Sequence, residues 1–395
     1  MKKTNIQAKR ISSPAFLMLA MLFLMARPAF AGLERLAFVA SEGENSVTII
    51  DLITEKSLKV LPTGKTPHAM ATAPEGKIFV NNRGSRDLTV IDANRLEVTA
   101  TIPLPAISFQ LAMSPDGKTL AVVYKDGLEL SLVDVASNAI TKTLEVGKTD
   151  KRFEKPMMKH PFWTPDGRFV YVSDSVHDTL VKIDVSEGVI TKKIPLPGIN
   201  HYLHLSPDGG TIYAVNETTR DGTSVTLIDR ATDTVIADLP IPLAPGEKGK
   251  GHHGNFSPDH RYFFFSNLGS SGLHVLDVQS RKWIETIQTG KGPGHPAISR
   301  DGKYIFVVHH KDGVISIIDL DKQKFIKNIE IGKGKKEAHA FYFTPDGKYF
   351  HAISAQDNLM VKIDVERLEV ASTMPVAKAS MFFAIKEGDT YPPTE

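Results

Sequence analysis

The stretch "LAMSPDGKTLAVVYKDGLELSLVD", residues 111–134, decides the fold. It reads as three short strands. Apolar residues alternate in "LAM", "LAVV" and "LELSLVD", the period-2 pattern of half-buried strands. Between the first two stands Ser-Pro-Asp-Gly, a tight turn in which proline presets φ and glycine accepts a positive φ. The stretch ends on an aspartate that closes the third strand.

The chain repeats both halves of this unit. Strands ending in aspartate occur at Asp51, Asp92, Asp134, Asp184, Asp229, Asp277, Asp319 and Asp364, spaced 41 to 50 residues apart. The strand–turn–strand theme centres on Pro74, Pro115, Pro165, Pro207, Pro258, Arg300 and Pro345, with a degenerate eighth copy in "MFFAIKEGD", residues 381–389. Units of about 45 residues with four strands each are propeller blades. Both themes count eight, so the sequence predicts an all-β, eight-bladed β-propeller; seven blades is the alternative. The first blade begins with its second strand, "LAFVAS", and the chain ends with a lone innermost-type strand, "SMFFAI". Pairing of the two closes the ring, and closure is expected to remove exposed sheet edges. The aspartates read as turn residues, not catalytic pairs, because each belongs to a separate blade.

The first 31 residues read differently. Lys2, Lys3, Lys9 and Arg10 precede an apolar run from Ala15 to Ala26 and the A-x-A-like end "ARPAFA" at Ala31. This is the pattern of a cleaved secretory signal, too short to span a bilayer. The expected organisation is a signal peptide over 1–31 and one propeller domain over 32–395, exported to the periplasm or secreted, and monomeric, with no membrane span. Five of the 47 Lys+Arg residues lie in the leader, leaving 42 against 45 Asp+Glu, a formal charge of −3. That balance argues against a nucleic-acid binder. The chain has no cysteine, which excludes disulfides, thiolate-bound zinc and covalent c-type haem attachment. It has no H-E-x-x-H, P-loop or G-x-S-x-G motif, and the formal G-x-G-x-x-G at Gly249, Gly251 and Gly254 precedes a strand where a dinucleotide site needs a helix.

The repeats "SPDGKTLAVV" and "VTIID" resemble the YVTN-type, YncE-like bacterial propeller repeat over essentially the whole chain after the leader. That resemblance implies fold, not function. The blade count and the closing segment "MPVAKASMFFAIKEGDTY" also resemble the eight-bladed haem d1 domain of cytochrome cd1 nitrite reductase and the propellers of haem d1 maturation. The chain shows no cytochrome c half, so it is not expected to be the reductase itself. The resemblance implies a tetrapyrrole ligand.

The residues themselves mark a site. In every innermost strand, the positions five and six residues before the turn proline or its equivalent are His68-Ala69, Phe109-Gln110, Lys159-His160, His201-Tyr202, His252-His253, Gly294-His295, His339-Ala340 and Ser380-Met381. Seven of the 14 histidines fall in these 16 positions. They lie at one mouth of the central channel, so His68, His160, His201, His252, His253, His295 and His339 are the candidate cofactor-binding residues. Strict alternation forbids both members of a pair from facing inward unless the strand is bulged. His160, His253, His295 and His339 are the candidate metal ligands. His177, His309 and His310 sit in loops on the same mouth, His260, His274 and His351 read as structural or surface residues, and Met157 and Met158 read as packing.

The loops feeding this mouth are rich in lysine, with Lys250, Lys291 and Lys335 as candidate contacts, and a positive rim favours an anionic ligand. Imidazole and lysine together fit a haem or haem d1-type tetrapyrrole, with histidine on iron and lysine on its acid groups. The alternatives are a copper or zinc carrier using three or four histidines, and a scaffold with no cofactor whose rim docks a protein or anionic polymer. The protein reads as a binding protein before an enzyme, taking a small anionic ligand or a metal, with periplasmic redox or maturation proteins as exchange partners.

Overall fold

The computed structural model describes residues 35–148, 158–333 and 340–385. Their strands form eight four-stranded antiparallel sheets. In the first blade, Lys56–Pro62, Ser46–Asp51 and Leu36–Ser41 are followed, innermost, by Ser380–Ile385 from the far end of the chain. The register is Ala37 to Ile385 and Val39 to Phe383. The other seven blades each use one continuous segment.

Eight apolar clusters hold the ring, one at each interface between neighbouring blades. Alternation along the strands explains how one sheet serves two neighbours. In "YFFFSN", Phe263 and Phe265 pack against the blade of Tyr213, whereas Phe264 packs against that of Ile305. The closing strand works the same way. Phe383 and Ile385 join the eighth blade's side, and Ala384 joins the second blade's. Each large apolar side chain so buried stabilises the ring by about 1.5–3 kcal/mol.

The turns are built as their residues dictate. Ser114 Oγ donates to Asp116 Oδ1 (2.7 Å) and accepts the Thr119 N–H (2.9 Å), while Gly117 takes φ 70°. In the sixth blade the glycine place of this turn is taken by His260, at φ 61°, so that histidine is a turn residue. The strand-end aspartates accept backbone N–H groups of the following turn: Asp51 Oδ1 takes those of Ile53 and Thr54 at 2.9 and 3.1 Å.

One expectation needs correction. Closure gives the first blade its innermost strand and pairs no other edge. The outer strand of each blade, such as Lys56–Pro62 or Val189–Pro195, remains an open and mostly exposed edge. Lysines on it (Lys56, Lys59, Lys192, Lys193) oppose edge-to-edge pairing with other chains.

Candidate functional site: a histidine cluster at the channel mouth

The innermost strands are bulged at the paired positions. Gly251 pairs with Asn267 and Gly254 with Phe265, so His252 and His253 together stand opposite the single Ser266. His68 and Ala69 likewise oppose Asn81 alone. Phe109, His201 and Gly294 are single extra residues in their strands. Second-strand side chains satisfy the backbone groups the bulges release: Asn81 Oδ1 accepts the Ala69 N–H (2.6 Å), and Ser266 Oγ accepts the His253 N–H (3.1 Å). Lys159 N–H is held in the same way by Ser173 Oγ (2.9 Å). Bulges re-aim side chains, and here one turns two consecutive histidines inward.

Six imidazoles from blades four to seven meet as a result. The ring centroids of His252 and His253 are 4.5 Å apart, those of His253 and His295 4.4 Å, and those of His201 and His252 4.3 Å. His310 lies 4.6 Å from His252 and 4.9 Å from His295; His160 lies 5.5 Å from His201 and 5.8 Å from His253. The ligand-competent nitrogens fall into two groups of three, His160, His201 and His253, and His252, His295 and His310. Within each group they lie within 4.8 Å of one another. All but His160 are buried.

The surroundings fix which nitrogen two of the rings offer. His201 Nδ1 faces Glu217 Oε2 at 3.1 Å, and His252 Nδ1 faces the Gly294 carbonyl at 3.2 Å. A carboxylate and a carbonyl only accept, so both Nδ1 atoms carry the proton, and the Nε2 atoms carry the lone pairs. Metal-binding histidines are oriented in this way. Glu217 Oε2 also takes Lys159 Nζ at 2.9 Å. Burial alone would raise the Glu217 carboxyl, but His201 and Lys159 hold it far below the usual range. Burial, reinforced by the rings of His295, His252, His201 and His160, keeps His253 well below the ordinary histidine value, hence neutral at pH 7.

The sequence-predicted residues do not form one symmetric ring. His68 lies against Glu42 and packs edge-on to Phe382 at 4.5 Å, in blades one and two. Of the four candidate metal ligands, His160 and His253 belong to one group and His295 to the other, and His339 lies outside the described residues. Lys335 and the leader over 1–31 lie outside them too. Lys250 and Lys291 are exposed, and their backbone N–H groups are tied to Asn267 Oδ1 and Asp312 Oδ2 at 2.7 and 2.8 Å. His309 is engaged at both ring nitrogens, by the Lys291 carbonyl (3.1 Å) and Ser316 Oγ (2.8 Å), so only its neighbour His310 joins the cluster. His177 is half-exposed and bound to Asp174 at 2.7 Å. His204 supports the cluster from behind: its Nε2 accepts the Gly254 N–H at 3.0 Å, and burial lowers its pKa to about 3. Met158 is core between blades three and four, and Met157 lies outside the described residues.

Sequence reasoning missed three neighbours. Glu217 orients His201. Tyr202 packs on His253 at 4.4 Å and on His160 at 5.1 Å. Arg83 lies over the Phe109 ring, 5.0 Å from its centre, with Lys159 Nζ 5.7 Å from the same ring. Burial, opposed by Glu42, brings Arg83 down to about 10, so it remains a cation at pH 7. "NNRGSRD" and "VNETTRDG" follow second strands on this mouth, and that placement was the available signal.

Two family patterns match parts of the chain. That of the YNCE-like β-propellers matches residues 31–155, and that of a domain family of unknown function, DUF5074, matches residues 253–390. No curated protein matches the sequence. Among solved structures, the chain is similar to the dihydro-heme d1 dehydrogenase NirN in complex with DHE, at 21% identity and a TM-score of 0.76, over 93% of this chain and 78% of that one. It is also similar to the hydrazine synthase of Kuenenia stuttgartiensis (18% identity, TM-score 0.60, 76% of this chain and 95% of that one). A functionally unknown protein from Desulfotomaculum acetoxidans DSM 771 matches at 13% identity and a TM-score of 0.57, over 91% of this chain and 99% of that one. At these identities the likeness shows the fold. The expected eight-bladed propeller is what the described residues form, and the YNCE-like pattern over residues 31–155 agrees with it.

Proposed function

We propose that this is an exported, monomeric periplasmic propeller that binds a transition-metal centre through the histidine cluster at its channel mouth. One observation carries the reading: two groups of three histidines with converging nitrogens, set in buried surroundings. Buried imidazoles need partners for their ring nitrogens, and neutral imidazole is a common ligand of copper, zinc, iron and nickel. Neither group contains a carboxylate or thiolate, which favours copper or zinc over magnesium, calcium or manganese. Export rests on the basic and apolar leader before Gly32.

A second reading has its own support. The metal arrives inside a tetrapyrrole of haem d1 type, as the likeness to NirN in complex with DHE invites. An imidazole of the cluster would then hold its iron, and Arg83 and Lys159 would receive the acid groups of the ring. Either ligand would be exchanged with periplasmic redox or maturation proteins.

The test is an absorption spectrum and elemental analysis of protein recovered from a periplasm, repeated after adding haem, copper or zinc and in His253→Ala/His295→Ala. Stoichiometric metal without colour from a porphyrin, lost in the variant, is the expected result. A Soret-type band that shifts in the variant selects the second reading. A protein that takes up none of these ligands refutes both.

A further inference from the structure

We propose that the cluster is a binuclear site that holds two copper(II) ions, one on His160, His201 and His253 and one on His252, His295 and His310. The proposal rests on the metal-binding reading above and deepens it. Three observations point to two ions. The six nitrogens divide into two sets of three, each confined within 4.8 Å, and no histidine belongs to both. The bulge at His252-His253 gives each set one of two consecutive residues. Each set also contains one ring whose outer nitrogen is anchored, His201 by Glu217 and His252 by the Gly294 carbonyl.

The two sets interleave. His201 of the first is 4.3 Å from His252 of the second, and His253 of the first is 4.4 Å from His295 of the second, centre to centre. Metal–imidazole bonds are about 2.0–2.1 Å long. Ions bound by rings this close are neighbours, near enough for through-space dipolar coupling of their unpaired electrons. Copper(II) is the divalent ion that a nitrogen-only donor set binds most tightly in the first transition row. Three imidazoles per ion leave a coordination position open on each, as in catalytic metal sites, and Glu217, set behind His201, is the carboxylate at hand to offset part of the charge.

The experiment titrates the full chain with copper(II) in the presence of nitrilotriacetate, which strips weakly held surface copper. Bound copper is counted by elemental analysis and electron paramagnetic resonance. The expected result is two copper ions per chain, with a dipolar-broadened resonance and a half-field transition. His160→Ala and His310→Ala each retain one copper and regain the signal of an isolated ion. One copper per wild-type chain, or two with independent signals, overturns the binuclear proposal but leaves metal binding intact. Loss of both ions in both single variants, with circular dichroism unchanged, overturns it as well. No copper at all overturns the metal reading on which it rests. The wild-type count decides the matter even where a variant does not fold.

Discussion

Glu217 offers the most informative single perturbation. One oxygen, Oε2, receives both His201 Nδ1 (3.1 Å) and Lys159 Nζ (2.9 Å). Glu217→Gln keeps an acceptor in place and removes the charge. Glu217→Ala removes both and leaves Lys159 with no counter-charge beside the first group of histidines. Loss of such an outer partner typically lowers metal affinity about 10- to 100-fold, or about 1.4–2.8 kcal/mol. Glutamine belongs near the lower end of that range, because it still fixes the ring, and alanine near the upper end. The pH dependence has a defined sign. His201 and Lys159 hold the Glu217 carboxyl below its ordinary value of 4.5, so its contribution to folding is complete above that pH and fades as pH falls below it. Glutamine abolishes this component of acid sensitivity. The assay is copper or zinc affinity by competition with a chromophoric chelator, with the denaturant midpoint at pH 7 and pH 4 measured in parallel. If Glu217→Ala binds metal within twofold of wild type while His201→Ala does not bind, the orienting role assigned to Glu217 is wrong.

Three further outcomes follow from the geometry. A Cβ at Gly294 would lie 2.5 Å from His310 Nε2, so Gly294→Ala displaces His310. Equilibrium dialysis should show weakened metal binding and chemical denaturation a loss of about 1–3 kcal/mol; unchanged binding would exclude His310 as a ligand. Phe383 is buried in the strand that closes the ring, so Phe383→Ala should cost about 3–5 kcal/mol in urea denaturation, and a loss under 1 kcal/mol would mean the closing strand is dispensable. Burial lowers His274, His309 and His351 to about 4 from 6.5. The unfolded chain therefore binds more protons between these values, and stability falls as pH drops below about 6.5, by up to about 1.4 kcal/mol per unit for each histidine. Neither ring nitrogen of His351 has a hydrogen-bond partner, so His351→Leu should flatten that slope in the metal-free protein; an unchanged slope would show that His351 does not carry it.

The architecture was legible because each blade states its turns in local chemistry. Ser-Pro-Asp-Gly and the strand-end aspartate make bonds within a few residues of themselves, so counting them counts blades. The closing strand was legible because "SMFFAI" is a short apolar run of innermost type with no partner nearby in sequence. The cluster was legible only in part. Register placed His160, His201, His252, His253 and His295 at one mouth. It could not say that the bulge at Gly251–Gly254 turns two neighbours inward, because a bulge depends on what Ser266 offers from the next strand. The register listed no histidine in blades one and three, but it could not show that His68, between them in blade two, lies against Glu42 and Phe382 and away from the other rings. His309 and His310 were indistinguishable as "HH"; Ser316 and the Lys291 carbonyl engage the first, and the second meets His252 and His295. Arg83 belongs to the site through Phe109 of the next blade, and Glu217 through His201 of its own blade and Lys159 of the preceding one, pairings that no local pattern encodes.

The central claim is that imidazoles of this cluster bind the metal. X-ray absorption at the metal edge of the copper- or zinc-loaded chain tests it most directly. The account predicts a first shell of nitrogen at about 2.0–2.1 Å with the outer-shell scattering of about three imidazoles per metal, diminished in His253→Ala. A shell of water or carboxylate oxygen without imidazole scattering, unchanged in that variant, would contradict it.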